Sequence, residues 1–233
     1  MTLKDSVILV TGGSLGLGKA TARALVAAGA KVLITGRDAA RVTAAAADCG
    51  ATAIVADVSR AEDVEKTVAT IRERFGRLDV LVNNAGIGEF RTLDALTLED
   101  FEQVFRVNVF GAALMAQAVL PFFREQGRGH IVNIGSTAAL NGFARGSIYA
   151  ASKFALRAMT QCWQAELRRE NIRVMLVNPS EVPTAFASDD RVERPLTEKK
   201  LTPDEIAHAI RSVLEMDDRG MIPELSVWAT NPW

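Results

Sequence analysis

Short apolar, β-branched runs alternate with longer helical patterns along the whole chain, and that alternation restricts the fold more than any other feature. The runs are Val7–Val10, Lys31–Thr35, Ala53–Ala56, Val80–Asn83, Ile131–Ile134 and Arg173–Val177, with a weaker seventh near Met221–Val227. They are largely continuous rather than alternately apolar and polar, as strands covered on both faces require. Between them, Ala20–Ala28, Ala39–Asp48, Ala61–Phe75, Leu98–Phe123 and Ser147–Glu170 carry helical spacing with few breakers. Parallel strands must be joined by crossovers, and right-handed crossovers place helices on both faces of a sheet. The expectation is a doubly wound α/β sandwich, and 233 residues suit one domain spanning residues 1–233.

Composition removes other classes. The 27 Lys+Arg against 28 Asp+Glu give a net charge of −1, which leaves no basic footprint for nucleic acid. Two cysteines, Cys49 and Cys162, and two histidines, His130 and His208, are too few for a disulfide framework or a metal cluster, so no metal is expected. Val7–Val10 is too short for a signal-peptide core. The most apolar stretch, Val107–Leu120, is interrupted by Asn108 and Gln117, short of the ~18 apolar residues of a membrane span. A cytoplasmic protein with no membrane partner is therefore expected.

The first strand runs directly into Thr11-Gly12-Gly13-Ser14-Leu15-Gly16-Leu17-Gly18, and a helix follows. Glycines there let the chain turn tightly and bring bare backbone against a ligand, while the helix aims its free N–H groups and positive dipole end at a phosphate. The spacing is Gly-x-x-x-Gly-x-Gly, and no Gly-Lys-Ser/Thr ending is present, which excludes a P-loop. No Gly-x-Ser-x-Gly elbow exists for a Ser-His-Asp hydrolase.

Two further motifs follow in order: Asn83-Asn84-Ala85-Gly86 after the fourth strand, and Tyr149-Ala-Ala-Ser-Lys153 in a helix. With the glycine turn, with Ser136 ahead of Tyr149 and with Asn108 after strand four, residues 5–180 resemble the short-chain dehydrogenase/reductase family. The resemblance is to its NADP(H)-preferring members, of the type of 3-oxoacyl-(acyl-carrier-protein) reductases and carbonyl reductases. It implies a seven-stranded, mainly parallel Rossmann sheet, a nicotinamide cofactor and hydride transfer between that cofactor and a carbonyl or alcohol.

The residues themselves are consistent with that chemistry. Tyr149 and Lys153 stand one helical turn apart and share a helix face. A tyrosine near pKa ~10 is a poor acid–base group at pH 7, and a cationic Lys153 together with an oxidised nicotinamide is expected to favour the phenolate. Tyr149 then gives a proton to the forming alkoxide or removes one from an alcohol, and Ser136 hydrogen-bonds the substrate oxygen. Taken singly, a Tyr, Ser or Lys in these places is ordinary packing or capping. Tyr149, however, is the chain's sole tyrosine.

The resemblance further implies that Lys153 holds the nicotinamide ribose and that Asn108 keeps a proton-relay water in line. It places Gly12, Ser14, Leu15, Gly16, Leu17 and Gly18 at the pyrophosphate, Asp57 and Val58 at the adenine, and Asn84, Ala85 and Gly86 along the cleft. Pro179, Val182 and Thr184 fall near the nicotinamide, with Ser180 where the family usually has glycine. NADP(H) is expected over NAD(H). The acidic position of NAD-preferring relatives falls on Gly36, Arg37 follows with a fork for a phosphate, and Asp38 reads as a helix N-cap. Leu15 removes a basic residue that many NADP-preferring relatives carry.

Two alternatives stay open: a non-catalytic dinucleotide-sensing regulator on the same fold, and an NAD-dependent alcohol dehydrogenase. The intact Asn108, Ser136, Tyr149 and Lys153 set is what a pure sensor would not require. A β-keto acyl group, a sugar, a steroid-like ketone or an aldehyde would each fit as substrate. Residues 181–201, charged and punctuated by Pro183 and Pro195, read as a short substrate lid over an open cleft. A homodimer or homotetramer is expected from apolar residues on more than one side of two helices: Phe105, Phe110, Met115, Phe154, Met159 and Trp163.

Overall fold

The computed structural model describes residues 1–187 and 191–232; Asp189 and Asp190 of the expected lid and the terminal Trp233 lie outside the described residues. Seven strands form one sheet: β1 (Val7–Val10), β2 (Lys31–Gly36), β3 (Thr52–Val55), β4 (Val80–Asn83), β5 (Gly129–Ile134), β6 (Ile172–Pro179) and β7 (Glu224–Val227). Their spatial order is β3-β2-β1-β4-β5-β6-β7, and every pairing is parallel rather than mainly so. The order reverses between β1 and β4, which opens a crevice beyond the carboxyl ends of those strands.

Helices cover both faces: α1 (Gly16–Ala27), α2 (Ala39–Cys49) and α7 (Pro203–Glu215) on one, α3 (Ala61–Phe75), α5 (Ala112–Gln126) and α6 (Ser147–Leu167) on the other, with α4 (Leu98–Phe105) beside α6. Strand periodicity divides the core. Ile8, Val10, Val32, Ile34, Val80 and Val82 pack with Leu25, Val42, Ile206 and Ile210. Val7, Leu9, Leu33, Leu81 and Ile131 pack with Ile71, Met115, Val119, Phe122 and Phe123. Adjacent residues of each strand thus face opposite cores, and so the runs are continuously apolar.

Local signals set several boundaries. Asp38 accepts from the Arg41 N–H at 2.8 Å and caps α2 as its place suggests. Thr97 with Asp100, and Thr202 with Glu205 behind Pro203, form reciprocal caps at α4 and α7. Helix α1 begins four residues before the expected Ala20, because the last two glycines of the turn already lie in its first turn.

The expected single helix Leu98–Phe123 is instead α4, a π-helical segment Arg106–Gly111 and α5. The wider π turn displaces the backbone around Asn108, which is 1% exposed. By length and hydropathy, Leu98–Gln126 could cross a bilayer, but the inner face of α5 packs on the sheet. That packing corrects one expectation. Met115 belongs to the core with Ala116, Val119, Phe122 and Phe123 at helical spacing, and Trp163 packs against the same core; Phe110 and Phe154 are the exposed members of the set.

Candidate active site

A cleft of about 1010 Å³ opens at the carboxyl edge of the sheet, and it gathers residues from every motif. The glycine turn forms its floor. Gly12 has φ +65°, and a Cβ there would stand 2.8 Å from Ala85 Cα; one on Gly18 would collide with the Gly12 carbonyl. Thr11 and Asn84 create this closeness. The Thr11 hydroxyl accepts from the Asn84 and Ala85 N–H groups at 3.0 Å, and the Asn84 amide donates to the carbonyls of Thr11 and Gly12. Asn83 turns the other way, donating to Asn133 at 3.0 Å and to the Ala112 carbonyl. The Asn-Asn-Ala-Gly run therefore ties the centre of the sheet to the floor of the cleft.

An anion already stands on this floor. Glu193 Oε1 accepts from the Gly16 N–H at 2.8 Å, and its Oε2 accepts from the Ala185 N–H at 3.1 Å. A carboxylate oxygen here stands in for a phosphate oxygen, and its seating shows that the turn presents a donor to a bound anion. A dinucleotide pyrophosphate fits the floor on that ground. Leu15 and Leu17 line the cleft beside Ser14, and Thr184 packs against Gly16.

At the outer end, Gly36, Arg37, Asp57 and Val58 line the cleft together with Arg41, a residue sequence reasoning missed. Arg41 lies in the first turn of α2, where its register alone did not reveal that it reaches the cleft. Arg37 is 58% exposed along its side chain and 4.0 Å from Asp57, while Arg41 lies 3.6 Å from Asp38. The Asp57 carboxylate is turned onto Ser59, accepting from its N–H at 2.9 Å and its hydroxyl at 2.7 Å.

At the inner end, Ser136 follows β5, and Tyr149 and Lys153 project from α6. Asn178, a second residue missed in the sequence, accepts from the Ser136 N–H at 3.2 Å and so fixes the backbone that carries the hydroxyl. Burial pushes the Tyr149 phenol up to about 12, and the neighbouring Ser136 lowers it only in part. Lys153 is 4% exposed, donates to the Ile134 carbonyl at 2.8 Å, and is brought down to about 8 by its own burial.

The expected lowering of the Tyr149 pKa involves an oxidised nicotinamide as well as Lys153; without that cofactor, burial raises the phenol, and the Lys153 ammonium stands 5.8 Å from the ring centroid and donates to the Ile134 carbonyl. Asn108, expected beside a relay water, is held by its neighbours. Its amide donates to the Ile87 carbonyl and to Ser152, and its oxygen accepts from the Ile87 N–H at 2.8 Å. The side chain is thus engaged in fixing the strand-four loop and α6.

Three other features lay outside the motifs. Phe90 and Phe186 each pack on Tyr149 with ring centroids 5.5 Å apart. Val182, Thr184 and Phe186 line the cleft, and Arg194 holds the Thr184 carbonyl at 3.2 Å. Pro179 and Ser180 also line the cleft. Ser180 needs no left-handed backbone: its N–H bonds the Val227 carbonyl at 2.8 Å and its hydroxyl accepts from the Ala229 N–H. No group of three or more His, Cys, Asp or Glu among the described residues is placed to hold a metal.

The comparisons agree with this geometry. The short chain dehydrogenase family model matches residues 6–194. An uncharacterized oxidoreductase of Listeria monocytogenes is 33% identical over 248 residues, covering 100% of both chains. An alcohol dehydrogenase from the archaeon Thermococcus sibiricus, complexed with 5-hydroxy-NADP, superposes with a TM-score of 0.88 at 31% identity and 97% coverage of each chain. A 3-ketoacyl-(acyl-carrier-protein) reductase from Brucella melitensis, complexed with NADH, gives 0.90 at 29% identity, covering 99% of this chain and 100% of that one. With its parallel sheet, its glycine turn and a family match over most of its length, the chain belongs to the short-chain dehydrogenase/reductase family of oxidoreductases.

Proposed function

We propose that the protein is an NADP(H)-dependent oxidoreductase that interconverts a small carbonyl compound and its alcohol, with Tyr149 as the acid–base group. One observation carries this reading: Ser136, Tyr149 and Lys153 converge at the inner end of the same cleft whose floor is the anion-binding glycine turn. A nicotinamide bound there supplies or accepts the hydride. The Ser136 hydroxyl donates to the substrate oxygen and stabilises the charge that grows on it. Tyr149 delivers its proton to that oxygen. A phenol pushed up to about 12 keeps its proton at neutral pH until a stronger base, the forming alkoxide, takes it. Lys153, near 8, is mostly charged at pH 7 and holds the cofactor ribose, as the family resemblance implies. Asn108 is a positioning residue that keeps Ile87 and Ser152 in place. Alcohol oxidation needs the phenolate, so that direction strengthens as pH rises.

The preference for NADP(H) is supported at the outer end of the cleft. Gly36 offers no carboxylate to a ribose 2′-hydroxyl, and Arg37 and Arg41, which line the cleft beside it, could hold a 2′-phosphate. Solved relatives hold 5-hydroxy-NADP in one case and NADH in another, so the choice falls to these side chains. Residues 181–201 act as the lid. A homo-oligomer is supported by Phe110 and Phe154, 56% and 43% exposed on the π segment and α6.

The test is a panel of carbonyl compounds and alcohols followed at the reduced nicotinamide absorbance band with both cofactors. Turnover with NADPH at least tenfold more efficient than with NADH is expected. No turnover of any compound with either cofactor contradicts the reading.

A further inference from the structure

The chain has ten Phe, three Trp and one Tyr, and five of these fourteen rings line the cleft, four of them in contact around Tyr149. They arrive from separate segments: Phe90 after β4, Phe143 after β5, Tyr149 in α6, Phe186 in the lid and Trp228 after β7. Phe90 and Phe186 meet Tyr149 at interplanar angles of 57° and 61°, and Phe143 extends the wall 6.1 Å from Phe90 at 41°. Gly88 makes this possible, since a Cβ there would stand 2.8 Å from both Phe90 and Phe186. Phe143 and Trp228 remain 49% and 58% exposed, an unfavourable state for large rings unless a ligand covers them.

Among the described residues, the neutral polar groups Ser136, Thr137 and Asn141 line the cleft, and Arg194 there is drawn onto Glu181 at 3.7 Å, as is Lys200 at 2.6 Å. Tilted and edge-on ring contacts favour an aromatic guest over an aliphatic one of equal size, because ring edges and faces carry opposite partial charge.

We infer that the substrate class is neutral aryl carbonyl compounds, ketones or aldehydes whose ring lies against Phe90, Phe143 and Phe186 with the carbonyl oxygen on Ser136 and Tyr149. This rests on the reductase reading above. The carbonyl carbon accepts the hydride of the reduced dinucleotide, the C=O π pair passes to oxygen, and Tyr149 protonates it. Ketone and reduced dinucleotide become aryl alcohol and oxidised dinucleotide, and solvent restores the tyrosine proton.

The experiment compares acetophenone, cyclohexyl methyl ketone and acetoacetyl-coenzyme A as substrates, and measures saturation transfer to the two ketones by NMR with cofactor-free protein. Acetophenone is expected to lead both others by at least tenfold in kcat/KM and to receive stronger saturation transfer than the cyclohexyl ketone. In Phe90→Leu and Phe186→Leu, which keep apolar volume, the phenyl-over-cyclohexyl ratio should fall at least threefold, through KM. An equal or greater kcat/KM for the cyclohexyl ketone or the charged thioester overturns the inference, as does an unchanged ratio in both variants. If no compound turns over, the reductase reading falls; selective saturation transfer to acetophenone then still supports the aromatic wall, and its absence overturns that too.

Discussion

Replacing Glu193 by Gln or Ala should tighten NADPH binding. In the cofactor-free protein its carboxylate holds two backbone N–H groups, Gly16 at 2.8 Å and Ala185 at 3.1 Å, and the first belongs to the turn that a pyrophosphate would occupy. The cofactor must displace this internal anion, so its apparent affinity is reduced by the stability of the Glu193 contact. Hydrogen bonds to a charged group contribute about 1.5–3 kcal/mol when well buried. Glu193 is exposed, so about 1 kcal/mol for the pair is the reasonable scale, and ~1.4 kcal/mol corresponds to a tenfold change. Glu193→Ala should therefore lower the NADPH Kd roughly fivefold, and Glu193→Gln, which retains a neutral acceptor, by less. Titration calorimetry on the two variants and the parent at one ionic strength measures this directly. An unchanged or weaker affinity in both variants would refute the competition argument.

Arg37→Ala should weaken NADPH binding roughly tenfold, the lower end for a charge-assisted contact because the side chain is 58% exposed, and leave NADH binding nearly unchanged in the same titration. Folding stability should fall as pH drops from about 6.5 toward 3. His130 accepts from Arg173 Nε through Nδ1 at 3.0 Å, and burial brings its folded pKa to about 3 while the unfolded chain binds a proton near 6.5. That linkage removes about 1.4 kcal/mol by pH 5.5, so His130→Asn should flatten the acid limb of Tm against pH, and a superimposable limb would exclude the residue. Light scattering at micromolar concentration should give a dimeric or tetrameric mass; a monomer would contradict the interface assigned to Phe110 and Phe154.

Most of the scaffold was legible because parallel strands covered on both faces write themselves as continuous apolar runs, and Asp38 marks a helix start by local chemistry. The break of Leu98–Phe123 into α4, a π turn and α5 was not, since a π turn keeps helical composition and adds no breaker. Met115 was misplaced for a related reason: an apolar residue on an apolar helix does not reveal which face meets the sheet until the helix is docked. In the site, motif residues stood out by spacing, as Tyr149 and Lys153 do. Arg41, Asn178, Phe90, Phe186 and Glu193 did not, because each acts through contacts between segments far apart in the chain.

The central claim is that Tyr149 transfers the proton, and Tyr149→Phe tests it most directly. The substitution keeps the ring between Phe90 and Phe186 and removes only the hydroxyl. Single-turnover reduction of a reactive carbonyl by the preloaded NADPH complex, measured beside the NADPH Kd, separates chemistry from binding. The account predicts a rate loss of about 10²–10⁴, the usual contribution of a general acid, with Kd changed less than about twofold. A variant that keeps more than a tenth of the parent rate with its cofactor affinity intact would contradict it.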